Sequence, residues 1–348
     1  MDTLTHALSG ALIARATAAR DAPRDEVRRR VAAGFLACAA PDLDIVFAFF
    51  GQLEYLTNHR GITHSLVLLP LWALLLSWLL ARILREPRGW RALYGVSALA
   101  IGTHIAGDVI TTFGTMVLAP FSDWRAAIGT TFIIDLWFTG IIVAGLVASR
   151  VWRNRRLPAI AATAVLLGYI GAQAVLKYQA EEFGDKYAAS IGLARAQVTV
   201  QPQPLSPFNW MVFVSDDTAH RYTRVNLLRK TYLPVASDAG FFARVEAAYR
   251  PLNLAQWETR PRYGATPEEQ MLARDAWGSP ALAFFRWFAE LPAFDGISQG
   301  STCVWFVDLR FATPGRDAMP FRFGACRKPG EPWRAYRRSG DGLPAPLN

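Results

Sequence analysis

The chain has 348 residues, 52% hydrophobic and 19% charged, with a formal net charge of +9. That length accommodates two domains, and the apolar residues fall unevenly: long, sparsely charged runs extend to about Ala180, and mixed sequence follows from Glu181 to Asn348. The positive balance does not call for nucleic acid, because arginine clusters beside the apolar runs account for it and read as topology signals and contacts for anionic headgroups.

The pattern predicts a polytopic α-helical membrane bundle of about five to six segments over residues 1–180, followed by a soluble α+β domain over 181–348. Thr3 to Ala19 has the length of a span but carries Thr5, His6 and Ser9. Asp2 and His6 stand where a signal peptide has a basic region, so this start is expected to be retained. Val31 to Phe50 is broken by Pro41, Asp42 and Asp44. Ile62 to Leu84, Leu93 to Thr112, Phe132 to Ser149 and Leu157 to Tyr178 are each near the ~20 residues that cross a hydrocarbon core. Arg20 to Arg30 holds five arginines, Arg82 to Arg91 four and Arg150 to Arg156 four, whereas the alternate loops hold only Arg60 and Arg125. Positive residues concentrate on the cytoplasmic side, which predicts that both termini and the C-terminal domain lie outside the cytoplasm.

Ionisable side chains cost about 2.5 to 3.5 kcal/mol at the centre of a membrane helix, so those on or beside apolar runs are functional candidates. They are His6, Asp42, Asp44, His59, His64, His104, Asp108 and Asp135. The expected topology brings them to one level in the outer part of the membrane. His104 and Asp108, four apart, share a helix face. Gly102 and Gly107 let neighbouring helices approach, and Pro41 interrupts the helix that carries the two aspartates. Mixed imidazole and carboxylate is the donor set of zinc and related divalent ions. His64, His104 and Asp108 are the expected ligands; His6, Asp42, Asp44 and His59 are ligands or groups that orient them. Asp135 reads equally as part of the site or as a contact between helices.

Met1-Asp-Thr-Leu-Thr-His6, Pro41-Asp-Leu-Asp44, His59 to Ser65, and His104 to Asp108 followed by Thr111, Gly114 and Pro120-Phe-Ser122 resemble the YdjM family over roughly the first 140 residues. The resemblance implies a metal-dependent hydrolase of the bacterial inner membrane. The spacing His-x-x-x-Asp is more distantly similar to helix-borne ligands of zinc-dependent phospholipase C and P1 nuclease, which implies two or three ions and phosphoester chemistry; the expected number of ions is one to three. Zinc is the expected ion, with manganese and iron as alternatives. Asp44 or Asp135 would then accept a proton, and Arg60 or Arg125 would hold a phosphate or make a solvated headgroup contact. The expected substrate is a lipid or lipid-linked phosphoester, and the expected partners are membrane lipids. The rivals are an ion- or proton-coupled carrier and a non-catalytic scaffold stabilised by metal. A relay needs polar groups through both halves of the bilayer, yet Leu74 to Leu80 and Ile141 to Val147 are nearly wholly apolar. No phosphate-binding P-loop, dinucleotide fingerprint or Gly-x-Ser-x-Gly elbow is expected.

In the second half, Gln197 to Val200, Trp210 to Val214 and Tyr222 to Leu227 alternate as strands. Thr266-Pro-Glu-Glu269 is a capping-box helix start, and Pro280 opens an amphipathic run to Leu291. Thr302 to Phe311 and Met319 to Arg327 form a hairpin around Thr313 to Arg316. A turn between Pro314 and Gly315 pairs residues whose numbers sum to 629, so Cys303 faces Cys326 and a disulfide is expected. Cys38 is expected to be a small packing residue, His220 a surface residue, and Phe284, Phe285, Trp287 and Phe288 a core, with a lipid-facing surface as the alternative.

Overall fold

A computed structural model describes residues 1–152, 156–193, 195–236, 238–298, 302–314, 319–338 and 344–347. The chain divides into two units, Met1–Val175 with Pro204–Pro207, and Leu176–Gln203 with Phe208–Asn348.

The first unit is helical. Its elements are α1 (Thr3–Ala16), α2 (Arg24–Ala39), a 3₁₀ segment (Ala40–Phe50), α3 (Gln52–Asn58), a 3₁₀ turn (Ile62–His64), α4 (Leu69–Ile83), α5 (Trp90–Val109), α6 (Leu136–Val151) and the start of α7 (Leu157–Ser190). Asp2 caps α1 by accepting from Thr5 N, and Asp135 caps α6 by accepting from Trp137 N and Phe138 N, which satisfies donors that a helix start leaves orphaned. α1 and α2 cross where glycine meets glycine: a Cβ on Gly10 would sit 2.2 Å from Gly34 O, and one on Gly34 would sit 2.5 Å from Gly10 O. Cys38 is buried in the core that Ala33 and Ala37 of α2 share with Val96 and Ala100 of α5, the packing role its sequence context predicted.

The expected five to six membrane segments are corrected. Among the described residues two helical stretches are long and apolar enough to cross a membrane, Arg24–Phe50 and Leu157–Ser190. A third exists if Gln52–His64 and Leu69–Ile83, bent by 83° at their break, count as one broken span. The apolar run from Ile62 is therefore not one helix. Its first part forms the turn that presents His64, and Ser65 Oγ accepts from Val67 N and Leu68 N just ahead of α4. α1, α4 and α6, at 14, 15 and 16 residues, are shorter than a ~30 Å hydrocarbon core requires at ~1.5 Å per residue. α5 has 20 residues, but its C-terminal half buries His104 and Asp108. Arg24, Arg28, Arg29 and Arg30 belong to α2 rather than to a loop; Arg153 and Arg155 lie outside the described residues.

The second unit is α+β. One antiparallel sheet has the order β1 (Gln197–Pro202), β2 (Asn209–Ser215), β3 (Ala219–Asn226), β4 (Glu258–Pro261). The other runs β5 (Pro292–Ser298), β6 (Thr302–Asp308), β7 (Arg322–Arg327), β8 (Arg334–Arg338), β9 (Ala345–Pro346). Helices α8 (Phe241–Ala247), α9 (Pro267–Gly278) and α10 (Ala283–Phe288) lie between β3 and β5 in sequence. Met211, Phe213 and Tyr222 of the first sheet share a core with Ala293 and Val307 of the second. The end of α7 covers the first sheet's other side, where Ala180 packs with Trp210 and Val212 and Tyr187 stacks on Trp257.

The capping box at Thr266 and Glu269 is present. The run from Pro280 is shorter than expected, a 3₁₀ turn and then α10, because Ala289 leaves the helix towards β5. Phe285 and Phe288 are fully buried, and Phe284 and Trp287 half-buried. Cys303 pairs with Cys326 in the β6–β7 register and the two form a disulfide; each neighbouring pair obeys the same sum of 629. Gly315 and Arg316 of the expected turn lie outside the described residues. The string Gly296-Ile297-Ser298-Gln299-Gly300 does match Gly-x-Ser-x-Gly, contrary to expectation. Its serine ends strand β5 opposite Cys303 and accepts from Trp305 Nε1 at 2.8 Å, and the next element among the described residues is strand β6 rather than the helix of a nucleophile elbow.

Candidate metal centre

Four segments of the first unit converge. α1 brings His6, the 3₁₀ segment brings Asp42 and Asp44, the chain from His59 through the next turn brings His59, Arg60 and His64, and α5 brings His104 and Asp108. His6, His64, His104 and Asp108 are at most 1% exposed. The missing side chain at Gly107 admits the His6 ring, since a Cβ there would lie 3.1 Å from its Cε1. His6 then stacks on His104 with ring centroids 3.7 Å apart.

Donor atoms of Asp42, His64, His104 and Asp108 all lie within 4.8 Å of one another. His104 Nδ1 is 2.6 Å from Cys38 O, a carbonyl that only accepts, so Nδ1 carries the hydrogen and Nε2 offers its lone pair. His64 Nδ1 is held by Thr63 Oγ1 at 2.9 Å and lies 3.5 Å from Asp44 Oδ2, which turns its Nε2 inward too. The two Nε2 atoms are 2.9 Å apart. Asp108 Oδ2 lies 3.1 Å from His64 Nε2 and 3.4 Å from His104 Nε2, and Asp42 Oδ1 3.8 and 3.6 Å from the same atoms. Asp108 Oδ2 and Asp42 Oδ2 are buried and make no hydrogen bond among the described residues. Buried carboxylate oxygens facing imidazole lone pairs are costly unless a cation joins them. Two nitrogens and two oxygens in this arrangement fit zinc or a related first-row divalent ion. Cys38 also lies close enough to His6 and His104 to complete a second donor group.

The other oxygen of Asp108, Oδ1, accepts from Arg60 Nη2 at 3.0 Å, lies 3.0 Å from His6 Nε2 and pairs with the Met1 amino group. Asp44 is occupied differently: Oδ1 holds His59 Nδ1 at 2.9 Å and Oδ2 accepts from Arg60 N at 2.9 Å and Thr63 Oγ1 at 3.3 Å. His59 thus stands beside the donor group with its orientation fixed, its ring centroid 6.2 Å from that of His64. Arg60 is 2% exposed, which excludes the solvated headgroup contact for that residue, and its Nε is buried without a hydrogen bond. Arg125 donates to Phe113 O, and both guanidiniums lie about 5 Å from the Phe113 ring, at 4.9 and 5.0 Å. Asp135 is not brought to the donor group by any of these contacts; besides capping α6, it accepts from Tyr169 OH at 2.7 Å. The carbonyl of Cys38 and the hydroxyl of Thr63, which orient the imidazoles, were not singled out from the sequence. The first is a backbone group without a sequence signal, while the second sits inside the His59 to His64 motif.

His220 is corrected from surface to interior. It is 2% exposed on β3, with Nε2 donating to Pro292 O at 2.9 Å and Nδ1 accepting from Ser215 Oγ at 2.7 Å.

Apolar helices around a buried cluster of histidine and aspartate define a membrane protein with a candidate metal-binding centre. The family profile described as YdjM inner membrane protein matches residues 1–180, and the chain belongs to that family. A relative, the uncharacterized protein YfhP of Bacillus subtilis strain 168, is 28% identical over 133 residues, which are 37% of this chain and 39% of YfhP. The chain therefore spans about two fifths of that relative's length in the match. No solved structure matches, and the more distant similarity to phospholipase C and P1 nuclease gains no support.

Proposed function

We propose that the helical unit is a metal-dependent hydrolase whose site opens on the outer side of the membrane and acts on a phosphoester of a lipid or lipid-linked substrate. The observation that carries this reading is the pair of inward-turned imidazole nitrogens 2.9 Å apart, faced by the unpartnered oxygen of Asp108. Asp42, His64, His104 and Asp108 would hold the ion. A divalent ion bound there would supply Lewis acidity and a water acidic enough to be nucleophilic at neutral pH.

The chain's own groups divide the remaining work. His59 takes the proton in place of Asp44 or Asp135, because Asp44 already uses both oxygens while fixing the His59 ring, the arrangement of an oriented general base. Arg60, held by Asp108, keeps an Nε–H free for a phosphoryl oxygen.

The test is elemental analysis of detergent-purified protein beside folded H64A, D108A and D108N variants, with turnover of bis(p-nitrophenyl) phosphate and phospholipid vesicles. Stoichiometric zinc, manganese or iron in the parent and its loss in the variants are expected. H59Q should keep the metal and lose at least 100-fold in turnover, as general-base removal typically costs ~10² to 10⁴. A parent that binds no metal after reconstitution overturns the proposal in favour of a buried ion-pair network or carrier.

A further inference from the structure

A second site lies at the opposite ends of the same helices. An open cleft of about 1550 Å³ is walled by the end of α1, the start of α2 and the end of α6. Among the described residues six arginines line it, Arg15, Arg20, Arg24, Arg28, Arg150 and Arg156, against a single carboxylate, Asp25. Arg156 spends its Nε on Ala16 O at 2.7 Å, which closes the end of α1. Arg20, Arg24, Arg28 and Arg150 form no ion pair among the described residues, whereas Arg29 and Arg88, outside the cleft, are paired with Glu86 and Glu26. The cleft therefore concentrates uncompensated positive charge.

Two further observations point to a ligand. Ser149 lines the cleft, is 4% exposed, and leaves its Oγ without a hydrogen bond among the described residues, although a helical serine readily bonds back to a carbonyl one turn earlier. The start of α2 has no side-chain cap, so its first N–H groups are left to whatever occupies the cleft. Trp152, exposed at the rim, is the residue type that sits at headgroup level. The walls above the arginines are apolar, with Ala11, Phe35, Leu36 and Leu146. His6 and Arg15 are nine residues apart on α1, about 14 Å along its axis, so this cleft is distinct from the metal centre.

We infer that the cleft binds a phosphate-bearing anion, the arginines taking the phosphate and the apolar walls taking acyl chains when the anion is a phospholipid headgroup. Native mass spectrometry of the full chain, released from nanodiscs of equimolar phosphatidylglycerol and phosphatidylcholine, tests this. R28Q/R150Q is compared with R82Q/R91Q, which removes the same charge outside the cleft. The expected result is retained phosphatidylglycerol that falls about tenfold or more in R28Q/R150Q and is little changed in R82Q/R91Q. Isothermal titration of the detergent-solubilised chain with inorganic phosphate separates the sources: lipid retention without phosphate binding assigns a lipid site, and phosphate binding lost in R28Q/R150Q assigns a soluble anion. Equal losses in both double variants, or no retention and no phosphate binding in the parent, overturn the inference.

Discussion

At the residue scale, the grouping of Asp42, His64, His104 and Asp108 was legible because histidines and aspartates are expensive in apolar runs. What the letters did not reveal was the division of labour among them. Asp42 and Asp44 look equivalent in sequence, yet Asp42 keeps a buried oxygen unpartnered while Asp44 is saturated by His59, Arg60 and Thr63. That difference arises from the 3₁₀ path after Pro41, which a helix-period reading cannot anticipate. His220 was misread for another reason. An isolated histidine gives no sign of burial, which follows from the central place of β3 and from the carbonyl of a distant proline. Burial holds the His220 imidazole below its ordinary pKa. With a depressed folded pKa, its stability contribution is complete above the unfolded value of about 6.5 and is lost as pH falls through the folded one. Thermal melts at pH 7.5 and 5.5 should therefore show a larger loss for the parent than for H220Q; equal losses would assign the acid sensitivity elsewhere.

At the element scale, the contrast between two glycines gives a sharp test of the α1–α2 crossing. A methyl group at Gly10 meets the Gly34 backbone, whereas one at Gly95 of α5 meets nothing within 4 Å. Gly10→Ala is expected to destabilise by about 1 to 3 kcal/mol or more through overpacking, and Gly95→Ala to be neutral or stabilising by about 0.5 to 1 kcal/mol. Melting temperatures of the two variants in the same detergent check the ordering, and a tolerated Gly10→Ala would show that the helices can separate. Element boundaries were read best where local chemistry was explicit, as in the Thr266 capping box and the β6–β7 register. They were read worst along Ile62 to Leu84, where unbroken apolarity hid the 83° bend that delivers His64. Removing the disulfide by C303A/C326A opens a 23-residue separation and should cost about 3 kcal/mol. Chemical denaturation of the parent with and without reductant measures it, and identical curves would refute the estimate.

At the scale of the whole molecule, the two-part division follows from composition, but the number of crossings does not. Apolar content reports burial in protein and burial in lipid alike, and short helices such as α1 bury much of themselves against neighbours. The arginine asymmetry still predicts a sidedness. A thiol placed at Phe121, which is 81% exposed, should react with an impermeant maleimide in spheroplasts, and one at Arg88 only after permeabilisation. Labelling in the reverse order would place the metal centre on the cytoplasmic side. Cys38 is buried and Cys303 and Cys326 are bonded to each other, so the native background is low.

The candidate metal donors come from stretches far apart in the chain, with Asp42 on the 3₁₀ segment and Asp108 at the end of α5. An ion held between them would act as a removable crosslink: it would close a long loop in the folded state and, by mass action, make persistence of the protein depend on metal supply. Chelation should then lower the melting temperature of the helical unit as well as any turnover, and the cell's quality control would read metal scarcity as a shortage of this protein.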